Sequence, residues 1–151
     1  MPGIIVSDTS SLIVLNKIDR LHLLKSLFGQ ITITQTIAKE FNHPLPDFIN
    51  IQDPQNNNYQ KILKSFLDEG EASAIALALE TKDCLLIIDE LKGRREAKAL
   101  GINYTGIMGI LIIAKEKKII SSVSAIIEEI QKTDFRLSSK LIEETKRKSG
   151  E

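Results

Sequence analysis

Short runs of consecutive apolar residues alternate along this chain with longer stretches in which apolar residues recur every three or four positions. The first pattern is that of a strand buried on both faces, and the second that of an amphipathic helix. Residues 4–7, 31–34, 85–88 and 102–104 read as strands, and 48–51 as a further short edge strand. Between them the spacing predicts a helix with Leu12, Leu15 and Asn16, a break near Asp19, and a second helix with Leu21, Leu24, Leu27 and Phe28 that Gly29 ends. A third helix carries Ile37, Glu40 and Phe41, with Thr34 or Thr36 as its cap. Residues 43–58, with three prolines and Asn56-Asn57-Asn58, are the least regular part, and a loop this long is uncommon unless it is functional or hides a small element.

Tyr59, Ile62, Leu63, Phe66 and Leu67 mark a further amphipathic helix, which Gly70 breaks. The stretch 71–79 is small and apolar all round, the character of a helix buried against a sheet. A helix rich in Arg and Lys runs to about Ala99 and ends at Gly101. Thr105-Gly106 turns into an apolar helix, and two amphipathic helices, around 123–132 and 138–148, close the chain. This alternation of strand and helix predicts an α/β fold: a parallel sheet with helices on both faces. No repeat or linker divides the chain, so 1–151 is expected to form one domain.

Composition narrows the class. A 42% hydrophobic, 26% charged chain is that of an ordinary soluble protein. Its single cysteine, Cys84, opens an apolar run and excludes an internal disulfide. His22 and His43 are too few and too far apart for a zinc cluster. The start of the chain carries no positive charge of the kind that opens a secretion signal. The longest apolar stretch, 106–114, is well short of the roughly 20 residues that span a bilayer, so no membrane association and a cytoplasmic location are expected. Lys plus Arg equals Asp plus Glu at 20 each. That balance argues mildly against a nucleic-acid binder, but setting four ligand carboxylates aside leaves the rest of the chain net positive.

The chemistry-bearing residues are acids. Two of the apolar strands run straight into an aspartate, Asp8 and Asp89, and ligands in open α/β folds bind outside the carboxyl ends of the strands. Each can also be read as a helix cap. Glu71 has Ala74, Ile75, Ala78 and Leu79 at +3, +4, +7 and +8, which puts it on an apolar face where an unpaired carboxylate costs several kcal/mol. Glu40 stands at the edge of an apolar stripe beside Phe41. Carboxylates gathered at one sheet edge repel one another, and divalent cations are the natural way to satisfy them. Glu90 lies beside Asp89, while Ser10 and Thr105 sit just beyond strand ends, where a hydroxyl can orient a carboxylate or water. Lys92, Arg94 and Arg95 follow Asp89. A charge run is usually a solvated helix face, but an arginine there can hold phosphate. There is no Walker-type phosphate loop or GxGxxG after a strand.

The order Asp8, Glu40, Glu71, Asp89, with "VSDTSSLIVLNKI", "GEASAIALAL", "LLIIDELKGRREAKALG" and "YTGIMGIL", resembles a PIN domain. More narrowly it resembles a prokaryotic PIN group related to VapC-type toxins, and the likeness covers nearly the whole chain. The resemblance implies a three-layer α/β/α sandwich with a central, mostly parallel sheet. It also implies an acidic pocket that holds Mg²⁺ or Mn²⁺ and cleaves RNA, with Asp8, Glu40, Glu71 and Asp89 as catalytic and metal-ligating residues. Glu71 departs from the pattern, since many VapC-type members have an aspartate there. The charge is unchanged and the reach is longer by a methylene, for which Glu90 can compensate. Thr105 falls on the family's Thr-Gly turn. A small antitoxin and a second copy of the chain are the partners the resemblance implies.

The expected activity is therefore metal-dependent endoribonuclease cleavage, with water as nucleophile because no side chain offers itself. The alternative is a PIN-fold module with a weak or empty metal site that binds RNA or a protein partner. A receiver-like signalling domain fits poorly, because the late strand ends at Tyr104-Thr105-Gly106 without a lysine facing the acids.

Overall fold

The computed structural model describes residues 3–151. Five short parallel strands form its centre: β1 (Ile4–Ser7), β2 (Ile31–Ile33), β3 (Ile49–Ile51), β4 (Cys84–Ile87) and β5 (Asn103–Thr105), in the order β3-β2-β1-β4-β5. Val6, Ile31, Ile33, Leu86 and Ile87 are fully buried, which is why these strands read as unbroken apolar runs rather than as alternating ones. The register pairs Ile4 with Cys84 and Ser7 with Ile87, so β1 and β4 end level. Helices cover the sheet, making the three-layer α/β/α sandwich expected from the sequence.

The helices are α1 (Thr9–Lys17), α2 (His22–Phe28), α3 (Gln35–Phe41), α4 (Asn58–Leu63), α5 (Glu69–Glu80), α6 (Leu91–Ala99), α7 (Ile107–Glu116), α8 (Val123–Gln131) and α9 (Ser139–Lys148). Thr34, not Thr36, caps α3: its hydroxyl accepts the N–H of Ile37 at 3.2 Å. Gly29 and Gly101 follow helices at φ 79° and 72°, a conformation that a Cβ disfavours. At the centre of the molecule lies α5, buried from Gly70 to Ala78 and packed against α3, α4, α6, β1 and β4. Its run of alanines lets neighbouring elements approach closely.

Two expectations need correcting. Gly70 does not separate two helices; it lies in the first turn of α5, which begins at Glu69 with Asp68 as its cap. The 59–67 stretch is not one helix with a buried stripe. Helix α4 stops at Leu63, and only Leu63 and Leu67 are buried, while Tyr59, Ile62 and Phe66 stand exposed. Periodicity gave the right spacing, but the next helix start, fixed by the Asp68 cap, claims the chain after one turn.

The chain leaves β1 towards β2 and β3, then returns to lay β4 and β5 on the other side of β1. The switch point is therefore between the carboxyl ends of β1 and β4. This is where an open parallel sheet forms its crevice, and where Asp8 and Asp89 emerge. Among the described residues, no helix is long and apolar enough to cross a membrane.

Candidate functional site

Asp8 is the first residue after β1 and is 2% exposed. Its Oδ1 accepts the N–H of Ser11 at 3.0 Å, capping α1, and its Oδ2 accepts the main-chain N–H of Asp89 at 3.1 Å. Asp8 thus serves both readings at once: it caps a helix and stands beside the second aspartate. Asp89 comes two residues after β4. Its Oδ2 accepts the Ser11 hydroxyl at 2.8 Å and its Oδ1 the N–H of Ile107, at the start of α7, at 3.1 Å. Burial first, then the Asp89 charge, pushes the Asp8 carboxyl up to about 7. Burial also raises Asp89, opposed by its Ser11 and Ile107 hydrogen bonds and by Arg94.

The hydroxyl assigned to this edge from sequence is the wrong one. Ser10 is exposed and lines a shallow cleft with Thr133 and Phe135, whereas the fully buried Ser11 holds Asp8 through its N–H and Asp89 through its hydroxyl. The signal was present: with Asp8 as cap, Ser11 is the third helical residue, whose N–H the cap side chain meets. Thr105 makes no hydrogen bond to an acid among the described residues. Its carbonyl accepts the N–H of Ile88 at 2.8 Å, and its hydroxyl lies against Gly109.

Glu71, in the first turn of α5, is 8% exposed, and its Oε2 is buried with no hydrogen-bond partner among the described residues. The cap residue Asp68 lies against it: Asp68 Oδ1 accepts the N–H of Glu71 at 2.8 Å. Burial, then Asp68, Glu90 and Asp8, push the Glu71 carboxyl up to about 8. Asp68 was not singled out from sequence, although Asp-Glu-Gly-Glu before a small-residue helix is a capping signal. Glu90 caps α6 in position, without a side-chain hydrogen bond to that helix, and is exposed.

Glu40 is the outermost of the four. It is exposed near the end of α3, accepts the Thr9 hydroxyl at 2.5 Å, and rests against the Cα of Gly70. Thr9, next to Asp8, is thus its link to the cluster.

Three glycines clear the space these carboxylates occupy. A Cβ at Gly70 would collide with Glu40, one at Gly93 would lie 2.9 Å from Glu71 Oε2, and one at Gly106 would lie 2.5 Å from Asp89 Oδ1. The Gly106 position is shared by Arg94, whose Nη2 would be 2.6 Å from such a Cβ. Arg94 Nε donates to the Ile88 carbonyl at 3.0 Å, and its guanidinium sits 5.6 Å from the Tyr104 ring centre. Of the three basic residues singled out after Asp89, Arg94 is the one fixed at the cluster. Lys92 and Arg95 are exposed on α6, and their side chains make no hydrogen bond or ion pair among the described residues.

The donors suit a hard divalent cation in kind, because all are oxygens and one buried oxygen lacks any partner. In arrangement they are neighbours rather than a closed cage. Among the described residues no group of three or more acidic, histidine or cysteine side chains is arranged to hold a metal ion. His43 packs edge-on against Phe41, with ring centres 5.1 Å apart. Cys84 is a buried thiol that burial pushes up to about 11, which makes it a poor nucleophile.

The sequence model of a family described as PIN domain matches residues 4–151. No curated protein and no solved structure matches the chain.

Proposed function

The chain belongs to the PIN-domain family, a family of nucleases that typically use divalent metals, and from that premise we propose that it is a metal-dependent endoribonuclease. The residues that would hold Mg²⁺ or Mn²⁺ are Asp8, Glu71 and Asp89, with Glu40 at the rim. One observation carries this reading: Glu71 Oε2, buried without a partner on a carboxyl surrounded by three other acids. Such a group costs several kcal/mol unless a proton or a cation satisfies it, and a helix that needed only stability would not place it there. A bound divalent cation supplies positive charge to the phosphodiester's oxygens and lowers the pKa of water.

The chain's own residues would prepare that chemistry. Ser11 fixes the Asp8 and Asp89 carboxylates relative to each other, and the Gly93 and Gly106 positions keep the approach to Glu71 and Asp89 open. Arg94, held by the Ile88 carbonyl, would present its remaining N–H groups to a phosphate oxygen beside Asp89. With the one cysteine inert, the attacking group is water.

Purified protein should cleave single-stranded RNA in Mn²⁺ or Mg²⁺ and not in EDTA, and Asp8→Asn should abolish cleavage while leaving the circular dichroism spectrum intact. Cleavage undiminished by that substitution would remove Asp8 from the site. A second reading, a non-catalytic PIN module that binds RNA or protein, draws on the absence of a closed ligand set and on exposed Tyr59, Ile62 and Phe66. Metal-independent RNA binding without cleavage would favour it. The narrower VapC-type likeness, carried by the sequence motifs, adds a small antitoxin and a second copy of the chain as partners. Growth arrest on expression of the wild type, absent with Asp8→Asn, would support the toxin role.

A further inference from the structure

A cleft of about 380 Å³ lies between the first turn of α3, helix α4 and the middle of α5. Apart from Pro54 its lining side chains are polar or charged: Lys61, Lys64, Gln60 and Asn57 from one side, Gln35 and Thr36 from another, with Ser73 at the base. No aromatic or large aliphatic side chain lines it, so it suits a charged, hydrogen-bonding ligand rather than a nucleobase or an apolar group. Among the described residues, the Lys61 ammonium has no hydrogen bond or ion pair. Lys64 pairs with Glu69 at 2.9 Å, but both side chains are substantially exposed, and such a pair is easily exchanged for another anion. The one acid in the wall, Asp53, is occupied by the N–H of Gln35 at 2.9 Å.

Two of the cleft's walls continue into the acidic cluster. Along α3, Thr36 lines the cleft and Glu40 follows four residues later. Along α5, Ser73 forms the base, and its hydroxyl donates at 2.8 Å to the carbonyl of Gly70, the residue against which Glu40 rests. A second hydrogen bond, 2.7 Å to the Thr34 hydroxyl, pins that base in place. The cleft therefore begins about one helical turn, roughly 5–6 Å, from Glu40, which is the scale of one step along a nucleic-acid backbone.

We infer that this cleft is a phosphate subsite, in which Lys61 and Lys64 hold the backbone of single-stranded RNA one or two nucleotides from the acidic cluster. The inference rests on the nuclease reading for the identity of the anion, and on the cleft itself for its place. Backbone contacts of this kind position a strand without reading its sequence. The subsite also offers local positive charge in a chain whose net charge is zero.

The test is fluorescence anisotropy of a labelled, mixed-sequence 12-nucleotide single-stranded RNA in EDTA, where turnover is stopped. It compares wild type, Lys61→Ala/Lys64→Ala and Lys61→Arg/Lys64→Arg across a salt series. Loss of two phosphate contacts should flatten the slope of log affinity against log salt by about 1.4 and weaken binding roughly tenfold near 100 mM salt, with the arginine pair restoring both. Unchanged affinity and slope in the alanine variant, or no binding by the wild type at low salt, would overturn the subsite. Cleavage in Mn²⁺ is scored separately. If the wild type cleaves RNA while the alanine variant binds like it, the subsite fails and the nuclease reading stands. If the alanine variant binds weakly and neither protein cleaves, the nuclease reading fails and the subsite stands.

Discussion

Glu71 and Glu151 both sit at the start of a helix, and the fold treats them in opposite ways. The Glu151 side chain accepts the Lys115 ammonium at 2.7 Å, the N–H groups of Val123 and Ser124 at 2.7 and 3.0 Å, and the Ser122 hydroxyl at 3.2 Å. It supplies α8 with the acceptors its first turn lacks, and these partners, the Lys115 hydrogen bond first, hold its carboxyl far below the usual range. Glu71 is more buried, has one oxygen with no partner, and is raised to about 8 with Asp68, Glu90 and Asp8 around it. A chain that can satisfy one carboxylate so fully has left another unsatisfied among like charges. Strongly perturbed groups gathered in a crevice are candidates for a functional site.

The largest expected effect is on the acid side of this comparison. Asp8→Asn keeps a capping side chain and removes the charge. Since even supporting residues of metal sites change affinity about 10–100-fold, it should weaken Mn²⁺ binding at least that much, read by calorimetry. Its amide leaves either the Ser11 or the Asp89 N–H without an acceptor, a cost independent of pH. Free of metal, however, the variant should lose less melting temperature than the wild type between pH 5 and pH 8, because the buried charge that forms in the wild type over that range is absent. Equal losses in the two proteins would mean that Asp8 takes up no charge over that range.

Gly93→Ala comes next. Its Cβ would lie 2.5 Å from Ile88 Cδ1 and 2.9 Å from Glu71 Oε2, so it should cost about 1–3 kcal/mol and reduce metal affinity as Glu71 is displaced. Gly101→Ala, at a helix end with open space around it but φ 72°, should destabilise without touching metal affinity. Equal metal affinities in the two variants would separate Gly93 from the site.

The pH responses should run in opposite directions. Asp8 and Glu71 are carboxyls raised in the folded state, so between about pH 4 and 8 the native protein binds more protons than the unfolded chain, and stability falls as pH rises through that window. The acid edge should thus cost the metal-free protein on the order of a few kcal/mol at pH 8 relative to pH 5, and added Mn²⁺ should recover more stability at pH 8 than at pH 6. Glu151 is lowered, so its contribution is complete above the usual glutamate range and is lost in acid. Its side chain is 18% exposed, and Glu151→Gln should cost only about 1 kcal/mol at pH 7 and less than that near pH 2. Denaturant titrations at pH 2, 5 and 8 check both directions.

What was legible in the sequence follows the same division. The three strands buried on both faces, β1, β2 and β4, leave nearly unbroken apolar runs, so their positions could be read to within a residue, and the terminal aspartates of β1 and β4 came with them. Glu71 was legible because a carboxylate on an apolar helical face is a conflict that sequence alone exposes. The links between elements were not. Ser11 differs from Ser10 only in facing inward, and Asp68 matters because its side chain meets Glu71. Thr9 matters because Glu40, 31 positions on, comes back to it. The α4 error has the same origin: apolar spacing can propose a helix through Phe66, but packing decides that Leu63 and Leu67 go in while Tyr59, Ile62 and Phe66 stay out.

The most direct test of the central claim is calorimetric titration of Mn²⁺ into the metal-free wild type at pH 7, in two buffers of different ionisation enthalpy, beside Asp8→Asn. With Asp8 near 7 and Glu71 near 8, a cation bound by these carboxylates should displace about one proton or more. The account predicts uptake that releases protons in the wild type and is lost in the variant. A folded wild type that takes up no Mn²⁺, or takes it up without proton release and equally well in the variant, would contradict it.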